Sequence, residues 1–176
     1  MTPGLGKTWG GKYLKTFKLY ALQVIDGQGG KMEQHPIPFK DGLIINMENE
    51  DKTWFLDAVV SNEDAHFFER EQEAERHILV SVVITSKNNH PAVMITSIEA
   101  ITELDQGKSV VLKGKIVSGR DDVLEDVFED ILAEGIERAD VVDEFKRRVE
   151  KLEAYSDKTI QEVYQDLKKD KNYHLL

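Results

Sequence analysis

The sequence predicts an α+β protein, in which an antiparallel β-barrel or barrel-like sandwich is followed by a C-terminal helical appendage. Six or seven short β-rich runs fill residues 14–118 at fairly even spacing, with no helical period between them. At Arg120 the apolar period becomes helical and stays so. We therefore expect a flexible leader over residues 1–13, a barrel core over 14–118, and a helix pair or three short helices over 119–176.

Alternating apolar residues predict a long first strand over residues 14–25. One of its predicted faces carries Phe17, Leu19, Ala21 and Ile25. A glycine-rich turn at 26–30 ends this strand. The next run, 32–39, is expected at a sheet edge because neither Pro36 nor Pro38 can donate a hydrogen bond to a ladder.

The remaining β-rich runs complete the predicted barrel. Asp41-Gly42 is a typical hairpin dipeptide, and the runs 43–47 and 53–60 after it flank a polar turn and should pair. Two further runs, 78–85 and 92–101, flank the turn sequence KNNHP. A turn at 105–108 then leads to the last predicted strand, at 109–117.

Three helical segments are predicted after Arg120. The first repeats two acids and two apolar residues, and Gly135 is placed to end it. A second starts near Ala139 with an apolar stripe of Val141, Val142, Phe145, Val149 and Leu152. Ser156 or Asp157 is expected to cap the third.

Four runs, taken in order, carry a resemblance to a known family. They are KTFKLYALQV (Lys15 to Val24), DGLIINMENEDKTWFLDAVV (Asp41 to Val60), VVITSKNNHPAVMITSI (Val82 to Ile98) and FKRRVEKLEAYSDKTIQEVY (Phe145 to Tyr164). The chain resembles the YwpF-like family of Gram-positive bacteria, which has no assigned biochemical activity. The resemblance implies a β-barrel followed by a C-terminal helix pair, with a barrel similar in shape to the ring-forming tube proteins of type VI secretion. It implies no functional residues.

The composition excludes several classes of protein. The chain has no cysteine, which rules out disulfides, thiolate nucleophiles, iron–sulfur clusters and cysteine-ligated zinc. No run approaches the ~18 apolar residues of a membrane span, and the first 25 residues lack the apolar core of a signal peptide. We therefore expect a cytoplasmic protein that does not associate with membranes.

The negative charge is concentrated in one segment. The net charge is -10, and residues 121–144 contain 11 acidic residues and a single basic one, Arg138. The acids Asp122, Glu125, Asp126, Glu129 and Asp130 are the strongest candidates for a functional surface. This surface is either a solvated helix face or a docking face for a basic partner, including the Lys146-Arg147-Arg148 cluster of a neighbouring copy.

A metal site is the main alternative. His66, Glu69, Glu73 and His77 would lie along one side of a helix, and imidazole and carboxylate groups bind zinc or manganese. The spacing lacks the HExxH signature, and the segment is acidic all round, so a solvated connector explains it equally well.

Other chemical motifs are incomplete. The GLGKT run at residues 4–8 lacks the first glycine of a phosphate loop, and no GxSxG nucleophile elbow is present. His35 and His90 precede prolines in turns and are expected to be exposed, while Asp57 is expected to point to water from a strand. No catalytic or cofactor-binding residue and no cofactor is predicted.

Aromatic and basic residues in the first 20 positions suggest a second alternative, a barrel that binds single-stranded nucleic acid. The net charge of -10 argues against it. The preferred hypothesis is a non-enzymatic interaction or scaffold protein whose partner is another protein or a second copy of itself, with no nucleic-acid partner.

Overall fold

The computed structural model describes residues 7–9 and 12–175, with the backbone alone for 7–9, 12, 13, 153 and 154. The strands are β1 (Lys7–Trp9), β2 (Lys12–Asp26), β3 (Glu33–Pro36), β4 (Asp41–Asn46), β5 (Trp54–Val60), β6 (Ile78–Ile84), β7 (Ala92–Glu103) and β8 (Lys108–Ser118). The helices are α1 (Asn62–Glu73), α2 (Arg120–Ala133), α3 (Val141–Val149) and α4 (Leu152–Lys169). A short 3-10 turn, Arg138–Asp140, precedes α3.

Six strands form a closed antiparallel barrel in the order β2-β4-β5-β8-β7-β6. The ring closes because β2 is long enough to pair with β4 near its start and with β6 along its second half. β1 and β3 also pair with β2 and lie outside this ring. The predicted α+β class and barrel core are confirmed.

A β-bulge decides which side chains of β2 enter the barrel. The pairing of β2 with β6 shifts between Leu19 and Ala21. Because one extra residue reverses the alternation, Leu19, Leu22 and Val24 are buried in the barrel core, whereas Ile25 packs on the outer wall. The single predicted face that joined Leu19 to Ile25 is therefore wrong.

The dipeptide Asp41-Gly42 is not a turn. Both residues belong to β4 and pair with Val59 and Ala58 of β5. A side chain at Gly42 would place its Cβ 2.9 Å from a methyl carbon of Leu19. The glycine here permits close packing across the barrel rather than a reversal of the chain.

Helix α1 interrupts the strand series, contrary to the expectation of no helix between strands. Ser61 caps it by accepting a hydrogen bond from the Asp64 amide at 3.1 Å. Ala65 and Phe68 are buried in the barrel core, and the helix packs on β7 and β8. α1 therefore covers the end of the barrel where β5 finishes and β8 begins.

The C-terminal helices cover one side of the barrel. α2 buries Val123, Val127 and Ile131, one turn apart. α4 contributes Ile160, Tyr164 and Leu167 to a second apolar cluster on the outer wall, together with Ile25, Leu79, Val93 and Ile95. The barrel thus has an apolar interior and an apolar outer strip, and α4 seals the strip.

The predicted start of the third helix is wrong. α4 begins at Leu152, so Ser156 lies one turn inside it and donates its hydroxyl to the Leu152 carbonyl at 3.2 Å rather than capping the helix. The nine residues of α3 are all described and none is buried, and Val142 is 60% exposed. Gly135 does follow α2 with a positive φ of 69°, as predicted.

Residues 1–6 and 10–11 lie outside the described part of the chain, together with most of the GLGKT run. The flexible leader over 1–13 therefore stays a prediction, although Lys7–Trp9 form β1 against the start of β2. Within the described residues, no helix combines the length and apolar character needed to cross a membrane.

Candidate functional site

The five predicted docking acids of α2 do not form one surface. Asp126 accepts a hydrogen bond from the Thr159 hydroxyl at 2.8 Å, and Asp130 lies 3.5 Å from the Lys158 ammonium. Both partners belong to α4. These two acids therefore hold α4 against α2.

A third acid, Asp122, is also used within the chain. Its carboxylate accepts a hydrogen bond from the Gly119 amide at 2.7 Å at the start of α2. Glu125 and Glu129 are exposed, and their side chains have no hydrogen-bonded or ionic partner in the part of the chain that the structure describes. The candidate docking acids are thereby reduced to these two.

Glu125 and Glu129 border an apolar groove between α2 and α3, which we call the α2–α3 groove. It has a volume of about 320 Å³ and is lined by Leu124, Glu125, Phe128, Glu129 and Phe145. The rings of Phe128 and Phe145 meet edge to face at 6.2 Å. The acids thus lie beside an aromatic surface.

The apolar surface extends beyond the groove. Phe128 is 44% exposed, and Leu132, one turn further along α2, is 60% exposed. α2 therefore has two apolar stripes, one packed inside the protein and one facing solvent. The predicted repeat of two acids and two apolar residues did not distinguish these two stripes.

Arg148 fixes the geometry of the helices around the groove. Its guanidinium donates to Glu144 of α3 at 2.8 Å and to the Tyr155 hydroxyl of α4 at 3.1 Å, and it also pairs with Glu134 after α2. Arg147 pairs with Glu144 as well. Two residues of the basic cluster predicted to contact a neighbouring copy are thus engaged within their own chain.

The ion pairs of Glu144 predict a pH-dependent stability. Hydrogen bonds from Arg147, and then from Arg148, lower the pKa of the Glu144 carboxyl from 4.5 to about 2. A depressed folded-state pKa stabilises the fold fully above the ordinary value, and this contribution is lost as the pH falls from 4.5 towards 2. The melting temperature of Glu144→Gln should therefore lie below that of the parent at neutral pH, and the gap should shrink across this window.

Circular dichroism melts at several pH values measure that gap. Glu150→Gln is the matched control, because Glu150 is exposed and its carboxylate has no described ionic partner. This control should melt close to the parent throughout. A gap for Glu144→Gln that persists unchanged at pH 2 would show that the ionised carboxylate does not hold the helices together.

The predicted metal ligands are not brought together. His66 lies 3.5 Å from Glu69, but Glu69 is paired with Lys108 of β8, whose hydrogen bond lowers the pKa of the carboxyl. Glu73 is exposed at the end of α1. α1 ends there, so His77 does not continue its ligand-bearing side.

His77 contacts the C-terminal tail instead. Its Nδ1 accepts a hydrogen bond from the His174 amide at 3.0 Å, and its ring meets Tyr173 edge to face at 5.2 Å. Burial, and then the charge of His174, lowers the pKa of His77. Across the described residues, no three histidine or acidic side chains are grouped to hold a metal ion.

The three remaining candidates from the sequence, His35, Asp57 and His90, have different surroundings. His35 is exposed, as predicted, and lies 3.5 Å from Glu33. Asp57 lies on the outer side of β5 and accepts a hydrogen bond from the Ser109 hydroxyl at 2.9 Å, so its carboxylate does not simply point to water. His90 is half-buried rather than exposed, because α4 packs over the turn that carries it.

His90 lies in a second cavity, which sequence reasoning missed. We call it the His90 cleft; its volume is about 510 Å³, and its polar lining includes Gln23, Ser81, Asn88, His90, Ser118 and Ser156. The His90 Nε2 is 3.4 Å from the Ser156 hydroxyl. Burial, and then the positive charge of Arg120, lowers the pKa of His90, so its imidazole is neutral at pH 7.

No motif in the sequence could have located this cleft. Its polar residues come from β2, β6, the turn before β7, the end of β8 and α4. Only the pairing register of distant strands and the docking of α4 bring them to one place. The KNNHP turn was the single local signal, and it predicted a hairpin.

Comparison with known proteins places the chain among uncharacterised bacterial relatives. The family model described as YwpF-like protein matches residues 15–148. A relative from Bacillus subtilis (strain 168), described as uncharacterized protein YwpF, is 33% identical over 138 residues, which cover 77% of this chain and all of the relative.

A solved structure is also similar. The chain resembles a crystal structure of a hypothetical protein from Staphylococcus aureus with a TM-score of 0.54 and 27% identity, over 77% of this chain and 92% of the other. The family match ends at residue 148, so α4, which begins at Leu152, lies beyond it.

Proposed function

The chain belongs to the YwpF-like family, and from that premise we propose that it is a non-enzymatic interaction protein whose α2–α3 groove binds a basic, amphipathic helix of another protein. The observation that carries the proposal is the exposed Phe128, which forms an aromatic surface with Phe145 beside Glu125 and Glu129, two glutamates without a partner among the described residues.

The apolar part of the groove supports binding to a protein. Aromatic side chains at the centre of an interface contribute most of its binding energy once water is excluded around them. Phe128 and Leu132 supply large apolar side chains one turn apart, which is the spacing that a partner helix in a groove can match. An exposed patch of this kind is typical of an interaction site.

The charges select the partner. Glu125 and Glu129 are one turn apart on α2 and repel each other by a few tenths of a kcal/mol in the free protein. A partner with lysine or arginine at this rim relieves the repulsion, and the surrounding negative charge of residues 121–144 accelerates its approach. An acidic partner is repelled by the same groups.

The rest of the fold supports the role of a rigid platform. Arg148 joins α2, α3 and α4 through Glu134, Glu144 and Tyr155, so the groove is held in shape before a partner arrives. α4 in turn packs on the barrel wall. A preformed groove lowers the ordering cost of binding.

The test is binding of a synthetic amphipathic helix whose polar face carries only lysines. Fluorescence anisotropy should show binding that weakens with salt. Reversing both groove acids, Glu125→Lys with Glu129→Lys, should weaken the affinity by about tenfold or more. Phe128→Ser should weaken it comparably at low salt, because the apolar contact is lost.

A matched control separates the groove from net charge. Glu162 and Asp166 are an exposed acidic pair four residues apart on α4, so Glu162→Lys with Asp166→Lys makes the same charge change elsewhere. Equal weakening by both double variants would reduce the effect to net charge and contradict the proposal. Light scattering that shows a dimer which Phe128→Ser dissociates would make a second copy the occupant, and would also contradict it.

A further inference from the structure

We propose that the His90 cleft is a binding site for a neutral, hydroxyl-rich small molecule of the sugar or polyol class. The cleft is separate from the α2–α3 groove, because Val123 of α2 lines the cleft while Leu124 and Phe128 line the groove. Its volume of about 510 Å³ lies in the range of small-molecule sites.

The floor of the cleft is a row of side chains in register across four strands. Gln23 of β2 pairs with Ser81 of β6, Ser81 pairs with Val93 of β7, and Val93 pairs with Ser118 of β8. All four residues line the cleft. Hydrogen-bonding groups therefore flank a central apolar residue.

Two hydroxyls in this row are available to hydrogen-bond to a ligand. Ser81 is 6% exposed and Ser118 is 3% exposed, and neither hydroxyl has a hydrogen-bond partner within the described chain. Among the described residues, Glu71 Oε2 is the fully buried side-chain atom left without a partner, so the two serine hydroxyls remain accessible from the cleft that both residues line. A ligand in the cleft can hydrogen-bond to both.

Their separation fits one ring-sized molecule. Ser81 and Ser118 are two strands apart, and neighbouring strands are about 4.8 Å apart, so the hydroxyls are separated by about 10 Å. A pyranose placed over Val93 can hydrogen-bond to both at the usual distance of about 2.8 Å. Val93 and Ile160 offer apolar surface to the carbon–hydrogen face of such a ring.

The charges of the cleft favour a neutral ligand. No lysine or arginine is among the described residues that line it, and Asp157 is the acidic residue there. His90 contributes a neutral imidazole at pH 7, because burial, and then the positive charge of Arg120, lowers its pKa. Arg120 does not line the cleft, so a phosphate or carboxylate would find no cation among the described lining residues, whereas hydroxyl groups find amide, hydroxyl and imidazole partners.

Amide-detected NMR titration with D-glucose, maltose and glucose 6-phosphate tests the proposal. We expect saturable shifts at residues 81, 88–90 and 118 with glucose or maltose at concentrations up to about 50 mM. Glucose 6-phosphate should bind more weakly than glucose. No saturable shift with either neutral sugar, or tighter binding of the phosphate, would overturn the proposal.

Two serine-to-alanine variants test the ligand contacts without an expected loss of folding stability. Ser81→Ala and Ser118→Ala should each weaken sugar binding by about fivefold, with little change in melting temperature, because each removes a hydroxyl that has no partner in the described chain. Ser97→Ala, on β7 but outside the cleft, is the matched control and should bind as the parent does. Equal binding by all three variants would show that these hydroxyls do not contact the ligand and would overturn the assignment.

Discussion

Phe68→Ala should lower the free energy of unfolding by about 3–5 kcal/mol, the usual cost of removing a fully buried aromatic ring from a core. Phe68 is 1% exposed and belongs to the same apolar cluster as the inward residues of the barrel. Its ring also meets Phe67 edge to face at 5.1 Å. For a chain of this length, such a loss corresponds to a decrease in melting temperature of about 10 °C.

The loss of stability should depend on the side-chain volume removed at position 68, and not on substitution of α1 as such. Phe68→Met keeps most of the volume and should cost less than about 1.5 kcal/mol. His66→Ala, on the exposed side of the same helix, should be close to neutral. Chemical denaturation of the three variants measures these differences. A cost below about 1 kcal/mol for Phe68→Ala would mean that α1 does not close the end of the barrel.

The strands were predictable because alternation is a local property of the sequence. The runs 53–60, 78–85 and 92–101 coincide closely with β5, β6 and β7. The strands that close the barrel were not predictable, since closure depends on the pairing of β2 with β6, which are far apart in sequence. α1 was missed because only Ala65, Phe68 and Glu71 of its residues are buried, too few to produce an apolar period.

The candidate sites, like the fold, were predictable only in part from the sequence. The concentration of acids located α2 as the surface of interest, but the position of α4 decides which acids remain free. Asp126 and Asp130 face α4, and only the three-dimensional arrangement separates them from Glu125 and Glu129. The His90 cleft was still less predictable, because Ser81 and Ser118 come to line one cavity only through the register of β6, β7 and β8.

Gly114→Ala should destabilise the barrel by about 3 kcal/mol, the upper range for forcing extra volume into a packed region. Gly114 lies in β8 between Trp54 of β5 and Thr96 of β7. A Cβ at this position would lie 2.0 Å from the Ile95 carbonyl oxygen and 2.9 Å from the Thr96 Cα. Both atoms are backbone, so no side-chain rotation relieves the clash and two barrel strands must move apart.

Gly29→Ala is the matched control, because its added Cβ would meet no atom within 4 Å. In the unfolded chain both substitutions remove the same backbone freedom, which favours folding by about 0.4–1 kcal/mol, so Gly29→Ala should be neutral or slightly stabilising. Thermal and denaturant unfolding of the two variants isolate the steric effect at Gly114. If Gly114→Ala were as stable as Gly29→Ala, the backbones of β7 and β8 would not lie as close together at Gly114 as the closed barrel places them. The register between these two strands would then be wrong.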